Sequence, residues 1–205
     1  MYSQIIVPFD GGAFSARSIT VGRNLARLMN APLKVVAFAL TESHAGDLRV
    51  AVKREIETIT EVPVSWQARK VHNVVTEISR ELAEEPGGLI CMGSVGRSRS
   101  APILGSVAEG VLQETFGPVL LVGPHARTDR FVSAGVMVVC ADGSSAGKAI
   151  LPIAAQWAIT LPFEPWVINV QDREGEPVST ELRKPVDRFL PTAGHRRQID
   201  RRHDA

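Results

Sequence analysis

The sequence is poor in the features that mark secreted and membrane-spanning proteins. Its 205 residues hold two cysteines, Cys91 and Cys140. Both lie in apolar runs, so we expect buried free thiols rather than a disulfide framework. No apolar run approaches the roughly 18 residues of a membrane-spanning helix. The opening MYSQIIVPFDGG lacks the basic region and long apolar stretch of a secretory signal. We therefore expect a cytoplasmic protein with no membrane partner.

Excess charge is also missing. The 23 basic and 22 acidic side chains give a formal net charge of +1, so no general attraction to nucleic acid is expected. The five histidines show no metal-ligand spacing, and no Ser–His–acid set can be assembled. We predict no metal site, no catalytic residues and no nucleic-acid partner.

What the sequence does contain is a regular alternation of strand-like and helix-like segments. Five short apolar runs read as strands over the first 123 residues: Ile5–Val7, Pro32–Leu40, Val62–Arg69, Leu89–Gly93 and Pro118–Gly123. The helical segments between them include Leu48–Ile59 and Ser106–Phe116. Continuous apolar runs are typical of strands covered on both faces. Residues 1–125 are therefore predicted to form a doubly wound α/β domain with a five-stranded parallel sheet.

The later part of the chain repeats the beginning. At a constant offset of 132 residues, Asp10 corresponds to Asp142 and Val35 to Val167. We predict a linker at residues 126–134, an incomplete second repeat (strand–helix–strand) at 135–171, and a polar, flexible tail at 172–205. The segment Gly143–Ala149 resembles a P-loop, but it has one residue too few between its glycines. We interpret it as the first turn of the second repeat.

One glycine-rich segment follows the fourth predicted strand: MGSVGRSRSAPILGSVAEG, residues 92–110. Glycines allow tight turns that point several N–H groups at one place, and a helix N-terminus adds free donors, so the segment could hold a phosphate. Ser106 and Glu109 also form a capping-box pattern that would use the same donors. The residues alone leave both interpretations open.

The spacing of these glycines resembles that of the universal stress protein family. Nucleotide-binding members show two glycines three residues apart, then nine residues, then Gly-Ser or Gly-Thr. This chain has Gly93 and Gly96, then eight residues, then Gly105 and Ser106. The strand ending in Asp10 and the final PVLLV are further family features.

The resemblance implies an adenine nucleotide site for ATP, ADP or AMP, with or without Mg²⁺. The base would lie among Pro8, Phe9, Asp10, Phe38 and Met92. Ribose and phosphates would follow a second set: Gly93, Gly96, Arg97, Gly105, Ser106 and Val107.

Two departures from the family pattern bear on this site. The glycine-rich loop is one residue short, so we expect the terminal phosphates to be held weakly. Phe38 replaces a smaller aliphatic residue beside the base, where it would either stack on adenine or obstruct it.

The favoured function is a nucleotide-binding, stress-linked regulatory protein with at most slow ATP hydrolysis. The alternative is an interaction module that binds no nucleotide and acts through its sheet edge. A third hypothesis, less favoured, is a nucleotide-dependent enzyme. The resemblance also implies a homodimer through strand Pro118–Val122, because the incomplete second repeat lacks a fifth strand to pair with it.

Overall fold

A computed structural model describes residues 2–96, 104–128, 135–140 and 144–168, with only the backbone of Ala146. The chain divides into two compact units, residues 1–131 and 132–205. Within the described ranges no helix is both long and apolar enough to span a membrane. The predicted tail at 172–205 and the loop residues 97–103 lie outside these ranges.

The first unit is a five-stranded parallel sheet with four helices. Its elements in chain order are β1 (Ile5–Pro8), α1 (Ala13–Met29), β2 (Leu33–Ala39), α2 (Glu42–Ile56), β3 (Val64–Lys70), α3 (Val74–Ala83), β4 (Leu89–Gly93), α4 (Ser106–Glu114) and β5 (Val119–Val122). The strand order is β3-β2-β1-β4-β5, and each pair is parallel. This confirms the predicted doubly wound α/β class.

Helices cover both faces of the central strands. Successive side chains of a strand point to opposite faces. On β1, Ile5 and Val7 approach Gly22 of α1, whereas Ile6 packs in an apolar cluster with Ile78 of α3 and Val111 of α4. All three β1 side chains are fully buried. The continuous apolar runs therefore reflect burial on two sides.

Capping residues set the start of two helices. α2 begins at Glu42, six residues before the predicted Leu48, because the Thr41 hydroxyl accepts the His44 N–H at 3.3 Å. Apolar periodicity located the helix but missed its polar first turn. Asn73 caps α3 in the same way, its side-chain oxygen accepting the Val75 N–H at 2.9 Å.

A buried carboxylate attaches α3 to the sheet. Glu81 is buried on α3 and lies 2.6 Å from the ammonium group of Lys34 on β2. Gln67 on β3 donates a hydrogen bond to the other oxygen of the same carboxylate. Both partners fix where α3 crosses the edge of the sheet.

The second unit contains a parallel strand pair and two helical segments. Its elements are β6 (Gly135–Cys140), α5 (Ser145–Lys148), α6 (Ile150–Thr160) and β7 (Phe163–Ile168). Pro152 has no N–H to donate to the carbonyl of Lys148, which is consistent with α5 ending at that residue. Val139, Leu151 and Ala154 form the small core. The incomplete second repeat stays a prediction.

One face of this strand pair is exposed. Val138 corresponds to Ile6 at the 132-residue offset, yet Val138 is 50% exposed and Ile6 is completely buried. In the first unit α3 and α4 cover that face, and no described residue between 135 and 168 forms a counterpart to them.

The two cysteines differ in environment. Cys91 on β4 is buried, and burial raises the pKa of its thiol to about 12. The expectation that Cys140 is also buried is wrong, because it lies on β6 and is exposed.

We expect Gly22→Ala to destabilise the first unit. A Cβ at this position would lie 2.5 Å from a methyl carbon of the buried Val7 side chain, and such overpacking costs about 1–3 kcal/mol. Gly46→Ala on α2 is the matched control, since its Cβ would meet nothing within 4 Å. The control should gain about 0.5–1 kcal/mol from helix propensity. Urea unfolding measures both changes, and equal stabilisation by the two would contradict the close packing of α1 on β1.

Candidate functional site

A single cavity of about 670 Å³ in the first unit brings together the residues singled out from the sequence. It lies where β1, β2 and β4 end and α4 begins. The predicted residues that line it are Pro8, Phe9, Asp10, Phe38, Met92, Gly93, Gly96, Gly105, Ser106 and Val107. Arg97 lies outside the described residues. The role of each residue toward a ligand stays a prediction.

The cavity wall also contains residues that the sequence analysis did not assign to a ligand site. They are Ser15, Val36, His44, Val74, Ile78, Val95, Leu104, Ala108 and Glu109. A serine five positions after an aspartate, across two glycines, could have signalled the turn that involves Ser15. Nothing local in the sequence shows that α3 would form a wall of this cavity.

Asp10 closes the turn between β1 and α1. Its Oδ1 accepts the Gly12 N–H at 2.8 Å and the hydroxyl of Ser15. The first of these is an Asx turn, in which an aspartate binds the backbone two residues on. Gly11 has φ of +83°, a conformation that glycine adopts at little cost. One oxygen of the Asp10 carboxylate therefore stabilises this turn.

Asp10 also lines the cavity. A Cβ built on Gly96 would lie 3.9 Å from Asp10 Oδ2, so the ends of β1 and β4 approach each other closely here. Asp10 itself is half-buried. Asp10 therefore holds the turn and lines the cavity at the same time.

A backbone hydrogen bond joins the end of β4 to the start of α4. The Gly105 N–H donates to the Ser94 carbonyl at 2.8 Å. A Cβ on Gly105 would lie 3.3 Å from the Gly96 nitrogen, closer than most side chains tolerate. Gly96 and Gly105, at the two ends of the loop, therefore lie close together, and a side chain at position 105 would require a shift of a few tenths of an ångström.

The N-terminus of α4 opens into this cavity without a capping side chain. The N-cap is Gly105, and Ser106 is the first helical residue. The capping box considered for Ser106 and Glu109 is therefore not formed. Both residues line the cavity instead, beside the backbone N–H groups of the first turn of α4.

The other end of the cavity is apolar. Val36, Phe38, Ile78 and Met92 line it, and all four belong to the apolar cluster between the sheet and the helices α3 and α4. Phe38 is 7% exposed. A flat, weakly polar group would fit against these side chains better than a charged one.

Three ionisable side chains line the described part of the cavity: Asp10, His44 and Glu109. They do not converge as metal ligands, and no group of three or more His, Cys, Asp or Glu side chains elsewhere in the described ranges could hold a metal ion either. The arrangement combines an apolar end, a half-buried carboxylate and a helix N-terminus, which suits a ligand with a flat base and an anionic end.

The first unit matches the model of a known protein family. The model of the universal stress protein family matches residues 1–123, which is more than half of the chain. The chain belongs to the universal stress protein family. All described lining residues of the cavity fall within the universal stress protein domain.

Solved universal stress proteins share this fold. One in complex with cAMP superposes with a TM-score of 0.50 at 19% identity, covering 60% of this chain and 97% of its own. UspA from Lactobacillus plantarum gives 0.50 at 18% identity, covering 59% and 97%. A universal stress protein from Archaeoglobus fulgidus DSM 4304 gives 0.68 at 18% identity, covering 95% and 75%. Comparison with curated protein sequences finds no match.

Proposed function

We propose that this universal stress protein binds an adenine nucleotide in the cavity and acts as a stress-linked regulatory protein of the cytoplasm. One observation carries the proposal: ten of the eleven residues predicted from the sequence line the same 670 Å³ cavity. A universal stress protein of the same fold has been solved with cAMP, which supports this class of ligand. The apolar end suits the base and the glycine-lined end suits ribose and phosphate.

The base would lie between Phe38 and Met92, with Asp10 as its polar partner. A carboxylate oxygen accepts hydrogen bonds, and the exocyclic amino group of adenine donates them. Burying a flat base against these side chains removes apolar surface from water. The contact to Asp10 then favours a base that carries a donor.

The phosphates would lie at the start of α4. The backbone N–H groups at Ser106 and Val107 and the Ser106 hydroxyl are the donors at this end, and the helix dipole favours negative charge there. The loop has eight residues between Gly96 and Gly105 instead of nine. One residue spans at most about 3.6 Å, the scale of a single phosphate contact. We therefore propose that the α-phosphate is held better than the terminal phosphates.

Hydrolysis is proposed to be slow at most. Asp10 Oδ1 is engaged in the turn, so this carboxylate is poorly placed to activate water as well. Any Mg²⁺ would bind through the phosphates of ATP, with Asp10 and Glu109 as the nearest carboxylates among the described lining residues.

We expect the protein to bind ATP and AMP with dissociation constants within about tenfold of each other, because the terminal phosphates gain little from the short loop. Calorimetric titration of each nucleotide measures this. A much steeper loss of affinity from ATP to AMP would contradict weak holding of the terminal phosphates. Absence of binding to either nucleotide would contradict the proposed function and favour the interaction module.

We expect Asp10→Ala to weaken AMP binding by about tenfold or more, because hydrogen bonds to charged groups contribute roughly 1.5–3 kcal/mol. Asp142→Ala is the matched control, since the repeat places Asp142 at the corresponding turn without a second glycine-rich loop after it. It should leave AMP affinity unchanged in the same titration. Equal losses from both variants would show that the cavity is not the binding site.

We also propose that the protein forms a homodimer through β5. This strand lies at the edge of the sheet, and three of its four side chains are only half-buried. Phe116, two residues before the predicted pairing strand Pro118–Val122, is fully exposed. An apolar sheet edge next to an exposed aromatic ring is normally covered, and a twofold contact with a second copy would cover both.

Leu120→Lys should reduce the dimer to monomer, as measured by light scattering at micromolar concentration. Phe116→Glu tests the same surface without touching the core, because this side chain is fully exposed. Val50→Lys on α2 is the control, an exposed apolar residue away from β5 that should leave the mass unchanged. A monomeric wild-type protein would refute this interface.

A further inference from the structure

Arg69 lies outside the cavity but against one of its walls. Phe38 on β2 and Arg69 on β3 are direct neighbours in the parallel pairing of these strands. The guanidinium carbon of Arg69 is 4.9 Å from the centroid of the Phe38 ring. That distance is within the range of a cation–π interaction, in which the ring attracts the positive charge.

The guanidinium group of Arg69 forms an ion pair with a carboxylate of α3. Arg69 Nη2 lies 2.5 Å from Glu77 Oε2, and Arg80 contacts the same oxygen. Arg69 is 37% exposed and Glu77 17%, so the pair is partly shielded from water. Arg80 also lies 3.5 Å from Glu84, so Glu77 is not its sole partner and can hold the Arg69 guanidinium group beside Phe38.

The same helix connects this contact with the cavity. Val74 and Ile78 of α3 line the cavity, and Glu77 lies between them in the sequence. Phe38 is therefore confined by Arg69 on one side and by the helix that forms the neighbouring cavity wall. The ring has little freedom to turn while both contacts hold.

We propose that Arg69 is a positioning residue that sets the base preference of the cavity. This inference rests on the proposed nucleotide binding. By holding the Phe38 ring in one orientation, Arg69 keeps part of the ring surface available to a bound base. A purine has two fused rings and covers more of that surface than a pyrimidine does. The contact therefore favours purine over pyrimidine nucleotides.

The test compares AMP with CMP, which differ only in the base. Arg69→Met removes the charge and keeps an unbranched side chain, so the preference for AMP over CMP should fall by about 2- to 10-fold, the range of one aromatic pair. Arg69→Lys keeps a cation over the ring and should restore part of the preference. Arg49→Met is the matched control, because Arg49 also ties a helix to β3, through the Ala68 carbonyl, without contacting Phe38.

A double variant shows whether Arg69 acts through the ring. Phe38→Leu should lower the preference for AMP, and adding Arg69→Met to it should lower it no further.

Two results would overturn the inference while nucleotide binding stands: equal loss of AMP and CMP affinity in Arg69→Met, or fully additive losses in the double variant. A wild-type protein that binds neither nucleotide would overturn the proposed function, and the role of Arg69 with it.

Discussion

Burial of the central strands on both faces is the constraint on which the rest of the first unit depends. Ile5, Ile6 and Val7 of β1, and Ile90 and Cys91 of β4, are completely shielded from solvent. Such strands need helices on each face, and helical crossovers make every strand run in the same direction. All five strands then end at the same edge of the sheet. The cavity lies at that edge because the turns after β1 and β4 meet there, on either side of the point where the strand order reverses.

The apolar end of the cavity is also part of the core. Phe38, Ile78, Met92 and Ala108 line the cavity and pack in the same cluster as Ile6. Substitutions there would change folding and ligand binding together. The parts of the wall that carry polar groups are built differently, from a hydrogen-bonded turn at Asp10 and a close backbone contact at Gly105. Their residues lie on loops and at a helix terminus, so binding can be altered there at smaller cost to stability.

The described part of the second unit has helices on only one face of its strand pair. The pair β6–β7 has a helix on one face, while Val136, Val138 and Cys140 are exposed on the other. In the first unit the corresponding face of the sheet carries the apolar end of the cavity, which α3 and α4 cover. The nucleotide proposal is accordingly confined to the first unit.

The sequence by itself determined the class of the fold and predicted ten residues that line one cavity. Apolar runs, helix periodicity and the Gly93–Ser106 spacing are local patterns, and they can be recognised without knowing which segments are neighbours in the fold. Only the tertiary structure decided that Ser15 binds Asp10, that Thr41 starts α2 early, that Cys140 is exposed, and that Arg69 lies over Phe38. Contacts between residues far apart in the chain depend on strand register and helix placement, and each burial state depends on which elements cover a face. The periodicity of a single segment predicts neither these contacts nor these burial states, because both arise from how several segments pack against one another.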